Sequence, residues 1–293
     1  MKYSYFPGCT LHQQARDFDM STREAARKMG IDLVELEDWQ CCGAVFPLAT
    51  DAIIYLVSPY RTLASSHEAG TDLVTLCSGC LNVLRRTNRL VKTNKETRAK
   101  LQAFVEKDYQ GERHVYHLLE VIRKDTTFEG LAQRIIHSLE GLKVASYYGC
   151  LLLRPPEEME FDDVESPTIM EEFTKALGAE PVDFPFKTEC CGAYLSVPAE
   201  DRTLAAARSI LRSASSAGAD IMVTSCPMCL YNLDAKQGAL ARQDTGFRTL
   251  PVVYFSQLLA LALGAGEDVC GFDAHEVDPR PLLREKMLIP EVN

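Results

Sequence analysis

Short apolar runs alternate with longer amphipathic stretches along this chain, and the order of the first half returns in the second. The apolar runs have the length of strands, and the stretches between them carry helix signals such as a terminal glycine. Strands that alternate with helices predict an α/β fold, here with two pseudo-symmetric repeats that each contain a small parallel sheet with flanking helices. Strands are predicted at residues 3–6, 33–36, 72–76 and from 115 onward, and again at 143–148, 181–184, 221–224 and 252–254.

Helices are predicted between these strands, with glycine or proline at several of their ends. The first helix should stop at Gly30. A charged linker is expected around residues 92–107, and an insertion rich in acidic residues and proline is expected at 154–167. The predicted helices cover about residues 13–29, from Pro47 to near Gly70, the stretch after Cys80, 168–177 and 199–217.

The repeat predicts two domains, which agrees with a length of 293 residues at roughly 150 residues per domain. We place the boundary near residues 138–141, so that the first domain covers 1–140 and the second covers 141–293. The segment from Gly266 to the C-terminus contains three prolines and is expected to form an extended arm.

Ten of the eleven cysteines form two copies of one frame. Each frame has a single cysteine, then an adjacent pair followed by Gly-Ala, then a C-x2-C motif, and the gap from pair to motif is 34 residues in both copies. Each group follows a predicted strand, and parallel strands end at one edge of their sheet, so the three groups of a half should meet there. The first frame is Cys9, Cys41, Cys42, Cys77 and Cys80; the second frame is Cys150, Cys190, Cys191, Cys226 and Cys229.

The charge and hydropathy of the chain argue against nucleic-acid and membrane partners. A net charge of −10 disfavours binding to nucleic acid, and by charge alone to an anionic membrane. No apolar run reaches the roughly 18 residues that a membrane span needs. The N-terminus lacks the features of a signal peptide, so a cytoplasmic location is expected, where thiols stay reduced and metal binding is favoured over disulfide formation.

The number of thiols in each frame favours one kind of metal site. Zinc takes four thiolates, one fewer than a frame offers. A cubane iron–sulfur cluster also takes four, and the closely spaced cysteine run typical of it is absent. Adjacent cysteines diverge along an extended backbone, but an open, non-cubane cluster could use both. Redox iron–sulfur clusters are therefore favoured, with zinc, disulfide pairing and thioredoxin-like exchange at a C-x2-C motif as the alternatives.

The two frames with their Cys-Cys-Gly-Ala cores carry the CCG signature, and the chain resembles the B subunit of heterodisulfide reductase over essentially its whole length. The resemblance implies one non-cubane [4Fe-4S] cluster in each frame, bound by the five cysteines of that frame. It also implies that a small-molecule disulfide lies between the two facing clusters and is reduced to two thiols by one electron from each. It assigns no catalytic residue beyond the cluster irons.

The same resemblance implies partner subunits. In this family electrons arrive from a ferredoxin-like (C) subunit, which is supplied by a flavin-bearing (A) subunit. This chain has neither the cysteine run of a ferredoxin nor a G-x-G-x-x-G fingerprint, so both partners are expected in its complex. Two other functions stay open: an electron-transfer subunit of a succinate:quinone or thiol:fumarate reductase type of complex, and a non-catalytic zinc or iron–sulfur scaffold.

Several side chains near the frames are candidates for smaller roles. Asn82 and Asn232 follow the C-x2-C motifs and could donate hydrogen bonds to cluster sulfurs, although helix capping or surface exposure is the simpler interpretation. His12 is expected at the surface or in a supporting position rather than in a substrate cleft, and Cys270 is expected to be an ordinary thiol. Arg85, Arg86, Arg154 and Lys187 could bind an anionic substrate tail, with solvated charges as the simpler expectation.

Overall fold

The computed structural model describes residues 1–44 and 53–291. The described residues contain two four-stranded parallel sheets with helices around them, so the predicted α/β fold with two repeats is confirmed. The strands are β1 (Lys2–Tyr5), β2 (Asp32–Glu35), β3 (Leu73–Thr75), β4 (Val115–His117), β5 (Lys143–Tyr147), β6 (Glu180–Val182), β7 (Ile221–Thr224) and β8 (Val252–Tyr254). Their order is β2-β1-β3-β4 in the first sheet and β6-β5-β7-β8 in the second.

The helices of the first half flank its sheet. Phe18, Ala25 and Met29 recur along one side of the second helix and are buried. This helix ends at Gly30 in the left-handed conformation (φ 73°), as predicted, because glycine adopts that conformation without a steric penalty. The helices are α1 (Gly8–Gln13), α2 (Arg16–Met29), α3 (Ile54–Glu68), α4 (Ser78–Thr93), α5 (Lys95–Val105), α6 (Leu118–Val121) and α7 (Phe128–Ala132), with a π-helical turn at Ile122–Thr126.

The second half repeats the arrangement, with an interruption in one of its helices. Its C-x2-C motif is followed by a four-residue helix and then by a π-helical turn at Tyr231–Ala235, where the first half has one continuous helix. The helices are α8 (Pro156–Met159), α9 (Ile169–Ala176), α10 (Glu200–Ser216), α11 (Pro227–Leu230), α12 (Gln237–Gln243), α13 (Phe255–Ala262) and α14 (Arg280–Glu285), with 3₁₀ turns at Ala193–Leu195, Glu267–Cys270 and Phe272–Ala274.

Two details of the first half differ from the prediction. The helix expected at residues 13–29 is divided, because Ala15 leaves the helical conformation (φ −114°, ψ 52°) between α1 and α2. Cys9 consequently lies within α1 and not on the predicted loop. The helix start predicted at Pro47 falls outside the described residues.

The prediction of a charged linker at residues 92–107 is wrong, because most of this stretch is helical. The helix α4 continues to Thr93 and α5 follows almost at once. Asn94 caps α5 by accepting a hydrogen bond from the N–H of Thr97 at 2.9 Å. Leu101 and Val105, one helical turn apart, are buried against the core. The charged side chains therefore form only the outer face of a packed helix.

The segment after Gly266 is also not an extended arm. It folds into two 3₁₀ turns and α14, and its first turn packs against helices of both halves. Cys270, Phe272 and Leu283 are buried, because these apolar side chains recur on the inner side of the short turns. The prolines that begin α14 lie at its first positions, where a missing N–H costs little.

The two halves are packed together by reciprocal helix contacts. The helix α13 of the second half packs on α2 of the first half, and α9 of the second packs on α6 and α7 of the first. Phe18 and Tyr254 stack with ring centroids 4.0 Å apart, and the hydroxyls of Ser21 and Ser256 are 2.7 Å apart. One hydrophobic core therefore runs through both halves. The division into domains 1–140 and 141–293 stays a prediction.

Candidate metal centre

The first cysteine frame lies at the carboxyl end of the first sheet. Cys9 is in α1 directly after β1, and Cys41 and Cys42 follow β2. Cys77 is the N-cap of α4 after β3, and Cys80 is in the first turn of that helix. Parallel strands point their carboxyl ends toward one edge, so three separate parts of the chain bring their thiols to the same place.

Within this frame the sulfur atoms lie in close pairs. The Sγ of Cys9 is 3.3 Å from that of Cys41, and the Sγ of Cys42 is 3.3 Å from that of Cys80. The backbone N–H of Gly43 donates to the Cys41 sulfur at 3.5 Å. The two adjacent cysteines therefore have different partners among the other cysteines of the frame.

The second frame repeats this pattern of contacts. The Sγ of Cys150 is 3.7 Å from that of Cys190, and the Sγ of Cys191 is 3.5 Å from that of Cys229. The N–H of Gly192 donates to the Cys190 sulfur at 3.3 Å. The internal repeat thus extends from the spacing of the cysteines to the pairing of their sulfur atoms.

The C-x2-C motifs of the two frames meet where the halves contact each other. The hydroxyls of Ser78 and Ser225, which neighbour Cys77 and Cys226, are 2.8 Å apart. The backbone N–H of Ser78 also donates to the carbonyl of Ser225, at 3.4 Å. The two frames are consequently neighbours across the interface rather than separate sites at opposite ends of the molecule.

The frames are partly open to solvent. Cys41 and Cys190, the first member of each adjacent pair, are exposed, whereas Cys42, Cys191 and the cysteines of both C-x2-C motifs are buried. A small, mainly apolar pocket at the second frame is also lined by Ser78 of the first half. A group bound by the buried thiols would therefore remain accessible at one side.

Hydrogen bonds between neighbouring thiols separate their acidities. The bond from Cys41 lowers the pKa of Cys42 to about 4, with a further contribution from Cys80. The bond from Cys150 lowers the pKa of Cys190 to about 6, and the same bond raises the pKa of Cys150. One thiol of each of these hydrogen-bonded pairs is therefore more acidic than its neighbour.

The donor set suits a group with several metal atoms. All eleven cysteines carry free thiols. Within residues 1–44 and 53–291, no three Cys, His, Asp or Glu side chains converge as the ligands of a single metal ion would. The ligands of an iron–sulfur cluster bind different irons, so paired sulfurs at a shared edge fit such a group.

Comparison with known proteins places this constellation in a family. The family named CCG, a cysteine-rich domain, matches residues 3–85 and 144–234, which contain both frames. The chain belongs to the CCG family. The resemblance to the B subunit of heterodisulfide reductase that the sequence indicated is thereby confirmed at the level of the family.

Two relatives that match over nearly their full length have names that state different activities. The chain is 33% identical to the 8-methylmenaquinol:fumarate reductase membrane anchor subunit of Wolinella succinogenes, over 96% of this chain and 99% of that protein. It is 32% identical to the B subunit of the ferredoxin/F(420)H(2)-dependent CoB-CoM heterodisulfide reductase of Methanosarcina acetivorans, over 94% of each chain. Both relatives are named as subunits of oxidoreductases.

A solved structure supports the fold alone. The crystal structure of a hypothetical protein from Helicobacter pylori matches with a TM-score of 0.75 at 14% sequence identity. The match covers 94% of this chain and 51% of the other, so this chain spans about half the length of that protein. Among the described residues of our CCG protein, no helix has both the length and the apolar character of a membrane span.

The two asparagines that follow the C-x2-C motifs of this CCG protein have different contacts. Asn232 is buried, and its Nδ2 donates to the Cys191 carbonyl at 3.0 Å and lies 3.7 Å from the Cys191 sulfur. Asn82 instead donates to the carbonyls of Leu151 and Arg154 at 2.9 and 2.7 Å. Neither asparagine caps a helix, since the N-cap positions belong to Cys77 and Cys226.

The other candidate side chains are held mainly by protein contacts. His12 packs edge-on against Trp39, with ring centroids 5.6 Å apart. Arg85 forms an ion pair with Glu120 at 2.7 Å. Lys187 forms ion pairs with Glu171 and Asp183 at 3.2 and 2.9 Å, and Arg154 donates to the carbonyls of Thr188 and Val164 at 3.0 and 3.3 Å. These three cations are therefore already engaged within the protein.

Sequence reasoning missed several residues beside the sulfurs. Gly8 and Gly149 both have positive φ, and a Cβ at these positions would lie 3.0 Å from the Cys80 sulfur and 3.3 Å from the Cys229 sulfur. Tyr194 donates its hydroxyl to the carbonyl of Ala44 in the other half at 2.7 Å. The signal for the glycines was present, because each immediately precedes the first cysteine of its frame.

Proposed function

We propose that this chain is an iron–sulfur subunit of an oxidoreductase complex that reduces a small-molecule disulfide to two thiols. The observation that carries the proposal is the meeting of two five-thiol frames of the same pattern at the interface between the halves. A disulfide takes up two electrons and two protons to become two thiols. Two one-electron sites beside one another match that stoichiometry, and the relatives named as B subunits of heterodisulfide reductase support the choice of substrate class.

We assign one non-cubane [4Fe-4S] cluster to each frame, with its five cysteines as ligands. When bound, such a group supplies one-electron redox chemistry and a Lewis-acidic iron that stabilises a developing thiolate. The chain contributes the ligands and the contacts that hold them in place. The buried C-x2-C motifs anchor the inner side, and the exposed Cys41 and Cys190 complete the outer side. The hydrogen bonds of Gly43 and Gly192 orient these two outer sulfurs toward the frame.

The proposal includes the partner subunits and the cellular location of the chain. Electrons would come from a ferredoxin-like (C) subunit that is reduced by a flavin-bearing (A) subunit of the same complex, and the complex would work in the cytoplasm. Relatives that are named as subunits of larger enzymes support a multi-subunit assembly. The identity of the partners for this chain rests on purification from its natural source.

The test is anaerobic purification of the chain together with the proteins encoded beside its gene. Iron and acid-labile sulfide are measured first, and two clusters of this type require about eight irons per chain. Thiol release is then measured with a reduced ferredoxin or flavin donor across a panel of candidate disulfides. Zinc in place of iron would contradict the assignment of the cofactor. Full iron content without thiol release from any disulfide would contradict the reaction.

A second candidate function is favoured by one specific observation. The chain matches 99% of the length of the relative from Wolinella succinogenes, which is named as a subunit of an 8-methylmenaquinol:fumarate reductase. The same two frames would then pass electrons between a quinol and a partner protein. The same purified complex distinguishes the two functions, since only this candidate predicts fumarate reduction with a menaquinol analogue and no thiol release.

A further inference from the structure

The two cysteine frames are not equivalent in their hydrogen bonds. After the C-x2-C motif of the second half, the helix α11 ends and the wider π-helical turn Tyr231–Ala235 begins. This turn contains Asn232, which is 0% exposed. Isolated π-helical turns within helices frequently occur at functional sites. The wider turn places a polar side chain beside the buried thiol of Cys191.

The orientation of the Asn232 amide is set by its neighbours. Its Oδ1 accepts a hydrogen bond from the Ser196 hydroxyl at 2.9 Å. Its Nδ2 therefore faces Cys191, where it donates to the carbonyl at 3.0 Å and lies 3.7 Å from the sulfur. A flipped amide would turn its Oδ1 toward the Cys191 carbonyl, which would bring two acceptors together and leave that carbonyl without this donor.

The first half has no such donor among its described residues. Three positions after its C-x2-C motif stands Val83, where the second half has Asn232. The neighbouring Asn82 uses both of its amide hydrogens on carbonyls of the second half. One backbone contact is common to both halves, because Gly43 and Gly192 donate to the equivalent sulfurs of Cys41 and Cys190.

We propose that Asn232 raises the reduction potential of the group bound by the second frame above that of the first, so that the second frame is the preferred resting place of a single electron. A hydrogen bond to a ligating sulfur stabilises the more negative, reduced state of an iron–sulfur group and raises its potential. This inference rests on the proposed function only in requiring that both frames bind such groups. In this role Asn232 adjusts the reduction potential through its contact with Cys191 and is not a catalytic residue.

The test is a potentiometric titration of the purified complex, followed by electron paramagnetic resonance. The signals of the two frames are assigned with the variants Cys42→Ser and Cys191→Ser. In Asn232→Leu we expect the electron affinity of the second-frame signal to fall about tenfold, which is about 59 mV for one electron, while the first-frame signal stays in place. Ser196→Ala leaves the amide present but frees its orientation, so a smaller shift in the same direction is expected.

Asn82→Leu is the matched control from the first half, and it should leave the order of the two potentials unchanged. An unchanged second-frame potential in both Asn232→Leu and Ser196→Ala, with full iron content, would overturn the inference and leave the proposed function standing. Equal shifts of both signals would also overturn it. If Asn232→Leu loses iron, Ser196→Ala alone decides. The absence of two iron–sulfur signals in the unmodified complex would instead overturn the proposed function.

Discussion

The two halves of the molecule carry the same cysteine frame but support it in different ways. The first C-x2-C motif opens one continuous helix, α4, while the second opens α11 and then a π-helical turn. The fifth residue after each motif shows the difference best: it is Arg85 in the first half and Asp234 in the second. A repeat can therefore keep its cysteines while the charges behind them are reversed.

Each of these two charges has a different kind of partner. Arg85 pairs with Glu120 of its own half, at the third position of α6. The corresponding position of α13 is Gln257, which cannot serve as a counterion for Asp234. Asp234 instead lies near His275 from the C-terminal segment, with 3.9 Å between its Oδ2 and the imidazole Nδ1.

The C-terminal segment consequently completes the second half. The other nitrogen of His275 lies 3.4 Å from Asp17 of the first half, so one buried imidazole is placed between two buried carboxylates. Asp234 also accepts hydrogen bonds from the backbone N–H groups of Glu276 and Val277, at 2.7 and 3.1 Å. The C-terminal segment thus supplies partners both to Asp234, which lies behind the second frame, and to Asp17 of the first half.

The largest expected effect comes from breaking either frame. Cys42→Ser and Cys191→Ser should each remove the iron signal of their own half, roughly half of the total iron, because serine lacks the thiolate ligand. If both frames act on one disulfide, each variant should abolish turnover as a whole. Iron analysis and thiol release measure both effects.

The remaining cysteine provides the control for these variants. Cys270 lies outside both frames and is buried, and Cys270→Ser should retain full iron content. Full turnover after loss of one frame's iron would contradict the paired action of the two frames.

The next effect tests the charges behind the frames. His275→Leu removes the imidazole between the buried carboxylates of Asp17 and Asp234 together with its 2.8 Å contact to Gln257, and we expect a loss of about 3 kcal/mol in the free energy of unfolding because buried polar groups lose a partner. Arg85→Met breaks a pair whose side chains are still 12% and 11% exposed, so a smaller loss of about 2 kcal/mol is expected. Urea denaturation followed by the fluorescence of Trp39 measures both variants. If the two variants lose the same free energy of unfolding, or if Arg85→Met loses more, the contacts of His275 do not stabilise the protein more than the Arg85–Glu120 pair does.

A smaller effect is expected at the glycines that precede the frames. Gly8→Ala and Gly149→Ala each force a side chain into the left-handed region, at a cost of about 1–2 kcal/mol, and bring a methyl group against a cysteine sulfur. The approach is closer at Gly8, so this variant should lose more iron on purification. Gly30→Ala is the matched control, because its φ is also positive but nothing lies within 4 Å of the added carbon. Equal iron loss in all three variants would assign the effect to the backbone alone.

The smallest expected effect is a change in how the stability of the fold depends on pH. His117 ends β4 where Tyr254 ends β8, and burial lowers the pKa of His117 from 6.5 to about 3. The unfolded chain therefore binds a proton near pH 6.5 that the folded chain does not bind, so stability falls as the pH drops through that value. Between about pH 7.5 and 5.5 the loss from this group is about 1.4 kcal/mol. His117→Gln should reduce that loss in urea titrations at the two pH values, while Tyr254→Phe should not.

Much of the candidate site is predictable from local pattern. The strand predicted at residues 221–224 has its observed ends, and the end of α2 at Gly30 follows from a glycine after an amphipathic stretch. The grouping of three cysteine-bearing segments at one sheet edge follows from strand alternation and the direction of parallel strands. The linker prediction failed because the many charged residues of this stretch obscured its few buried positions. The stretch forms α5, in which Leu101 and Val105 lie on the buried face.

The sequence by itself determined the repeat, the α/β class and the ten thiols that belong together, because these depend on spacing and on the short-range periodicity of apolar residues. Only the tertiary structure decided which sulfurs lie in pairs, why Asn82 joins the halves while Asn232 faces Cys191, and how His275 reaches Asp17. These contacts connect residues far apart along the chain. Their geometry follows from the packing of one half against the other, which no local pattern records.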